Sequence, residues 1–385
     1  MSPPPALARR VLLAAPAVFA ADAALSGAAA PKTSTGTSTP PRADASPPPG
    51  LHRRAMRGNR SFGTAIDPGL LAHDPAYMAC VPRECGAVVS ETAFKWDALR
   101  PGPDAYSFDG ADALARYAAR HGLDLRGHTL LWHKGNPAWL DEALTPATGE
   151  RLLVEHVRAV VGHFRGRVVQ WDVANEAVWP PDGQPGGLRD SLWHRALGPA
   201  ALDLAFHACA EADPAALRVL NEDQIDYAWP PHARKRGAVL DLLAGLLARG
   251  VPVRALGMQA HLEAGVADLD QTALSRFCDD VASLGLRLVV TELDVRDNRL
   301  PADPAIRDAE VAAHTRAYLD AVLPCPAVLG VLTWGLSDRR TWLNDEIPRA
   351  DGLPQRALPL DAELRRKPMW HAIAAAFESA PPRPA

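Results

Sequence analysis

Short apolar runs rich in β-branched residues alternate along this chain with longer segments whose apolar positions recur at helical spacing. The pattern predicts strands over Ser61–Ile66, Gly86–Ser90, Leu123–Leu131, Val168–Val178, Arg218–Leu220, Val253–Gln259, Leu286–Thr291 and Val328–Thr333. Helices are predicted over Ala111–Arg120, Arg151–Phe164, Leu192–Ala212, Ala233–Arg249, Gln271–Leu284, Pro304–Leu323 and Lys367–Phe377. The helices beginning at Ala233 and Gln271 are each stopped by a glycine, Gly250 and Gly285. Eight strands alternating with helices call for a parallel sheet with right-handed crossovers. That count favours an α/β fold of the closed (β/α)8 TIM-barrel type, in a single domain over residues 51–380, over an open doubly wound sheet.

The first fifty residues follow another pattern. Arg9-Arg10 precede an Ala-rich apolar run, Val11–Ala21, and small residues follow at Gly27–Ala30. This reads as an export signal peptide over residues 1–30, with the paired arginines allowing a twin-arginine route. The run is short, contains Pro16 and meets Asp22, so no membrane anchor is expected. Residues 31–50 are Pro, Ser, Thr and Ala with almost no large apolar side chain, the composition of a disordered linker. A secreted or periplasmic location follows.

Composition excludes more than it selects. Of the 385 residues 48% are hydrophobic, enough for a large core, and the formal charge of −4 gives no field that would gather nucleic acid. No Gly-x-Gly-x-x-Gly follows a strand and no Walker loop occurs, which weakens nucleotide binding. The five cysteines, Cys80, Cys85, Cys209, Cys278 and Cys325, form no Cys-x-x-Cys pair. They read mainly as buried thiols, a Cys80–Cys85 bridge being the minor alternative. His128 and His133 bring no third ligand with them, so neither a metal nor another cofactor is expected.

In a barrel, the strand C-termini share one mouth. The predicted strands deliver to it Glu91, Lys95 and Trp96, then His128, Trp132 and His133, then Asn175 and Glu176. Gln259, His261, Glu292, Asp294, Trp334 and Trp342 complete the set. Each has a plain structural reading: Asn175-Glu176 can cap the next helix, Lys95 can snorkel at the surface, and His261 can be a satisfied core histidine. Together they suit a sugar, because tryptophan faces meet the C–H side of a pyranose while Gln, Asn, Lys and His bond its hydroxyls. Glu176 and Glu292, 116 residues apart, form the carboxylate pair that glycoside hydrolysis needs. One must deliver a proton and the other must be ionised, and a retaining enzyme holds the two about 5–5.5 Å apart. Gln259 and His261 share a face if the strand is regular; His261 can then hold Glu292, with Asp294 orienting the histidine.

These residues lie in segments similar to those of the family 10 glycoside hydrolases, mostly endo-β-1,4-xylanases, from about Phe62 to Phe377. The stretch Gly285-Leu-Arg-Leu-Val-Val-Thr-Glu292-Leu-Asp-Val295 resembles the family's nucleophile signature, and Trp171-Asp-Val-Ala-Asn-Glu176-Ala its acid/base segment. Arg126–His133, Ala255–Leu262, Lys95-Trp96-Asp97, Thr333-Trp-Gly335 and Lys367-Pro368 match further segments in order.

The resemblance implies Glu292 as nucleophile, Glu176 as acid/base, and Asn175 on the sugar 2-hydroxyl. It implies a glycone side lined by Glu91, Lys95, His128, Trp132, Gln259, His261, Trp334 and Trp342. The implied activity is retaining endo-hydrolysis of xylan by a monomer whose partner is xylan or xylo-oligosaccharide. The alternatives are a retaining β-glycosidase for other β-1,4-glucans or aryl glycosides, and a non-catalytic xylan-binding barrel. Two departures stand out: Thr92 where the family usually has Asn, and Asn221-Glu-Asp-Gln224 where it often reads Asn-Asp-Tyr-Asn. Tyr227, Trp229 or Trp179 either replaces the missing aromatic or is ordinary loop packing.

Overall fold

The computed structural model of the chain describes residues 49–266 and 269–384. The expected export signal and all of the expected linker up to residue 48 lie outside the described residues. Leu51, where the folded part is expected to start, is fully buried, and its N–H donates to Glu84 Oε2 at 3.1 Å.

The strands are β1 (Ser61–Ile66), β2 (Ala87–Ser90), β3 (Asp124–Leu131), β4 (Val168–Asn175), β5 (Leu217–Glu222), β6 (Ala255–Met258), β7 (His261–Glu263), β8 (Arg287–Arg296) and β9 (Val328–Thr333). Every ladder between them is parallel. The order β6-β5-β4-β3-β2-β1-β9-β8 closes on itself through β6–β8 pairing. β7 continues β6 past a break at Gln259-Ala260 and pairs with the far end of β8, so the barrel has eight staves. It is a (β/α)8 barrel. Helices such as Asp109–His121, Gly149–His163 and Pro304–Val322 bury one apolar face each against it. The main core joins those faces to residues such as Phe62, Val88, Trp171 and Val290. A second cluster, Ala65, Val89, Val289, Leu332 and Trp334, alternates with the first along the strands and fills the barrel's inside.

Sequence and structure part company where backbone conformation changes. The helix expected over Leu192–Ala212 is two helices, Leu192–Leu197 and Ala200–Ala212, because Gly198 turns to φ 59° and Pro199 follows. The sixth strand stops at Met258 rather than Gln259, since Ala260 sits at φ 62°. The fourth strand ends at Asn175, where Glu176 turns to φ 54°. The seventh expected strand runs on to Arg296, because β7 gives its second half a partner. A helix over Pro75–Glu84, capped by Asp74, was not expected; Pro82 inside it masks the helical signal. All five cysteines are free and buried, and no helix among the described residues is long and apolar enough to cross a membrane.

Register explains one glycine. Gly127 on β3 pairs with Trp171 on β4, and a Cβ at Gly127 would lie 2.2 Å from the Trp171 ring. Gly127→Ala should therefore lower unfolding free energy by about 1–3 kcal/mol through overpacking. Guanidinium denaturation measures it, and a loss under about 0.5 kcal/mol would mean the ring relocates freely.

Candidate active site

The strand ends place the two carboxylates over one cleft. Glu176 follows β4 directly, and its left-handed backbone costs an L-residue roughly 1–2 kcal/mol. Its N–H nevertheless finds Asn221 O at 2.8 Å. Glu292 sits in the middle of β8 and is buried. Between them runs a relay of amides. Asn221 Nδ2 donates to Glu292 Oε1 at 2.7 Å and to Asn175 Oδ1 at 2.8 Å. Asn175 Nδ2 then reaches Glu176 Oε1 at 3.2 Å, and Gln259 Nε2 donates to the same oxygen at 3.1 Å. Thr291 Oγ1 donates to Asn221 Oδ1 at 2.7 Å, which fixes the orientation of the Asn221 amide.

The other oxygen of Glu292 faces a second relay. His261 Nε2 lies 3.1 Å from Glu292 Oε2, and its Nδ1 lies 2.9 Å from Asp294 Oδ1. Asp294 also accepts from Trp342 Nε1 at 2.7 Å. β7–β8 register sets this, since His261 pairs with Asp294 in the ladder. Burial opposes charge on His261, but the Asp294 carboxylate and the bonds to Asp294 and Glu292 raise its pKa well above the usual histidine value. Burial alone would raise Glu292; the bond from His261 and the fields of His128, His261 and Arg126 outweigh it and hold that carboxyl below its ordinary range. His128 Nδ1 bonds Asp172 Oδ2 at 2.9 Å, and Arg126 clamps both Asp172 oxygens from within the barrel.

Aromatic and charged groups form the wall beside Glu292. The Trp334 ring meets His128 edge-on at 5.3 Å, and Lys95 Nζ stands 4.9 Å over Trp132. Burial depresses Lys95 against the pull of Glu292, Asp97, Glu91 and Glu176. Glu91 is pushed up to about 7 by burial and the Asp67 charge, so near neutrality its carboxyl can give or take a hydrogen bond. On the opposite side His133 Nδ1 lies 3.7 Å from Glu176 Oε2, and burial with Arg189 and Lys134 nearby lowers His133 to about 4. A small pocket lined by Trp132, His133, Glu176 and Trp193 opens there. Trp132 Nε1 and His133 Nδ1 are buried and make no hydrogen bond to another protein group.

Comparison with known proteins completes this geometry. Residues 51–376 match the family model for glycosyl hydrolase family 10. This chain belongs to that family. It is 31% identical to endo-1,4-beta-xylanase A of Phanerodontia chrysosporium over 327 residues, 83% of this chain and 75% of that one. It is 30% identical to endo-1,4-beta-xylanase 3 of Hypocrea jecorina, covering 82% of each. Among solved structures it is similar to native xylanase 10B of Thermotoga maritima, at TM-score 0.78 and 30% identity over 86% of this chain and 98% of that one. Xylanase 10B of Thermotoga petrophila in complex with xylobiose gives TM-score 0.79 at 29% identity, over 87% of this chain and 98% of that one.

Within this family 10 barrel, the residues expected at the mouth are brought together except Trp96, whose ring is buried in the core, stacked on His156 and packed against Trp193; the reason is not always the expected one. Gln259 and His261 do not share one regular strand; the left-handed Ala260 between them aims both inward. Three positions were missed. Asn221 fell just beyond a fifth strand drawn too short, and Gly257 leaves room for it, since a Cβ there would lie 2.1 Å from Asn221 Oδ1. Arg126 and Asp172 gave no signal beyond being polar in a buried strand. Of the candidate aromatics, Tyr227 is committed to packing: its hydroxyl accepts from Glu263 N at 2.7 Å and its ring stacks on Trp229. Trp179 instead faces the cleft flank, between Arg189 and Lys235. Asp223 is tied to Lys235, and Thr92 is exposed.

His128, Asp172 and Glu292 bring potential metal-ligand atoms within 4.8 Å of one another. Arg126 already pairs with Asp172, and Glu292 already takes bonds from Asn221 and His261, so this donor set is engaged by protein groups. Asp172→Asn would leave the Arg126 guanidinium buried without its counter-charge. A loss of about 3–5 kcal/mol in unfolding free energy is expected, read from urea titrations at neutral pH. A loss below about 1 kcal/mol would show that Asp172 does not neutralise Arg126.

Proposed function

We propose that this protein is a retaining endo-1,4-β-xylanase in which Glu292 is the nucleophile and Glu176 the acid/base. The observation that carries the reading is the amide relay through Asn221 and Asn175 that joins the two carboxyl groups across one cleft. Glu292 attacks the anomeric carbon of a xylosyl unit while Glu176 gives its proton to the departing glycosidic oxygen, which breaks the bond and leaves a xylosyl ester on Glu292. The Glu176 carboxylate then takes a proton from water as that water attacks the same carbon. Both side chains return to their starting states and the product keeps its β configuration. Asn175 bonds the 2-hydroxyl, while Glu91, Lys95, His128, Trp132, Gln259, His261, Trp334 and Trp342 hold the glycone sugars, with Asp294 fixing His261.

The protein is read as an exported monomer acting on xylan outside the cytoplasm. The Arg9-Arg10 pair, the apolar run to Ala21 and the small residues after it support that reading, with residues 31–50 as the spacer before the barrel.

Glu176→Gln and Glu292→Gln should each lower turnover on xylan by roughly 10²–10⁴-fold or more. NMR of the first-formed product should show the β anomer; near wild-type turnover in either variant, or an α anomer, would overturn the assignment. The pH profile supplies a second check. Asp294→Asn removes the main support for charge on His261, which in turn holds Glu292 down. The acid limb of kcat/KM requires ionised Glu292, so it should move to higher pH in this variant. An unmoved limb would separate His261 from the ionisation of Glu292.

A further inference from the structure

The mechanism above leaves unexplained how Glu176 keeps a fixed position when its backbone is left-handed and half of its surroundings is loop. Glu292 lies within β8, its N–H donating to Gln259 O at 3.0 Å; Glu176 lies beyond the end of β4. Its N–H is held by Asn221 O at 2.8 Å. Its carbonyl belongs to the first peptide of the loop and is held by a side chain, Arg189, whose Nε donates to Glu176 O at 2.7 Å.

Arg189 is placed for this by the loop's own return. Val178 and Leu188 form an antiparallel bridge, Trp179 N–H donates to Gly187 O at 2.8 Å, and Arg189 N–H donates to Ala177 O at 2.8 Å. The guanidinium then lies with its carbon 5.0 Å from the Trp179 ring centroid, and Lys235 Nζ is 5.6 Å from the same centroid. The arginine's planar fork suits both tasks, stacking on indole while directing one N–H at a carbonyl. Its Nη2 is 4.0 Å from Glu176 Oε2, the only carboxylate within ion-pair range of Arg189 among the described residues.

We propose that Arg189 is a positioning residue for the acid/base. It fixes the left-handed exit of β4 from the loop side, as Asn221 O fixes it from the barrel side, and so sets where the Glu176 carboxyl meets the leaving oxygen. This rests on the assignment of Glu176 above. A residue that acts through Glu176 matters only where the proton matters. An activated leaving group such as 2,4-dinitrophenolate departs without a proton, so the bond-breaking step on it should be spared. The water step of the second half still needs Glu176 as base.

The test uses Arg189→Lys and Arg189→Ala in the full chain, with thermal melts to establish that each folds. On xylan, kcat/KM should fall roughly 10–100-fold, within the range that general acid–base catalysis supplies. On 2,4-dinitrophenyl β-xylobioside, kcat/KM should change by less than about threefold while kcat falls and added azide restores it. Lysine keeps the charge but cannot bond the carbonyl while stacked, so it should recover only part of the loss. Equal losses on both substrates would mark Arg189 as merely structural and overturn the proposal, and so would no loss on either. Wild-type protein inactive on both substrates would instead remove the hydrolase reading itself.

Discussion

A negative charge buried in the barrel mouth is the constraint around which this molecule is arranged. An isolated carboxylate at the depth of Glu292 would take up a proton rather than stay charged. Here both of its oxygens are engaged, one by Asn221 and one by His261. Each partner is itself anchored: Asn221 by Thr291, His261 by Asp294, and Asp294 by Trp342. Below them Arg126 and His128 share Asp172, so the Arg126 guanidinium stands on the buried side of Glu292 as well. Single pairs of this kind rarely add net stability. Their effect is to make one charge state of one oxygen pair the low-energy arrangement, as a nucleophile requires.

Parallel register is what makes that arrangement cheap to specify. Neighbouring staves put Asn175 beside Asn221, His128 beside Asp172 and His261 beside Asp294 as ladder partners. Once the strands pair, the polar contacts follow without further choice of loop conformation. Register shifts interrupt the β3–β4, β4–β5 and β8–β9 ladders, and at the strand exits Glu176 and Ala260 both adopt left-handed backbone. Each costs roughly 1–2 kcal/mol, and the surrounding hydrogen bonds over-determine it.

Much of this was legible in the chain before any coordinates. Alternation of apolar runs and helical segments is a strong, local signal, and it yielded the eight staves because buried parallel strands must be apolar throughout. The Glu292, His261 and Asp294 triad was legible for the same reason, since polar residues ending such runs are costly unless used. Asn221 was not, because its importance lies in a cross-strand partner 46 residues away in Asn175, which no local pattern reports. The turn at Ala260 was invisible too: alanine gives no hint of positive φ. Arg189 lies in a loop of mixed composition, where only the folded return of the chain reveals what its side chain reaches.

The two carboxyl groups are held in unlike ways, and the difference follows their tasks. Glu292 lies within a strand, buried and bonded at both oxygens, which suits a group that must stay ionised and attack from one position. Glu176 is partly exposed, bonded at Oε1 by Asn175 and Gln259, with His133 and Arg189 at longer range from Oε2. A group that gives a proton to one oxygen and takes one from water must reach solvent between turnovers, so one face has to stay open. Openness at a strand exit sacrifices ladder bonds, and side chains of the returning loop replace them. The same flank carries Asp223, tied to Lys235, and sets Trp179 between two cations. The leaving-group side is therefore the part of the cleft where this chain's own loop chemistry, rather than barrel register, decides the geometry.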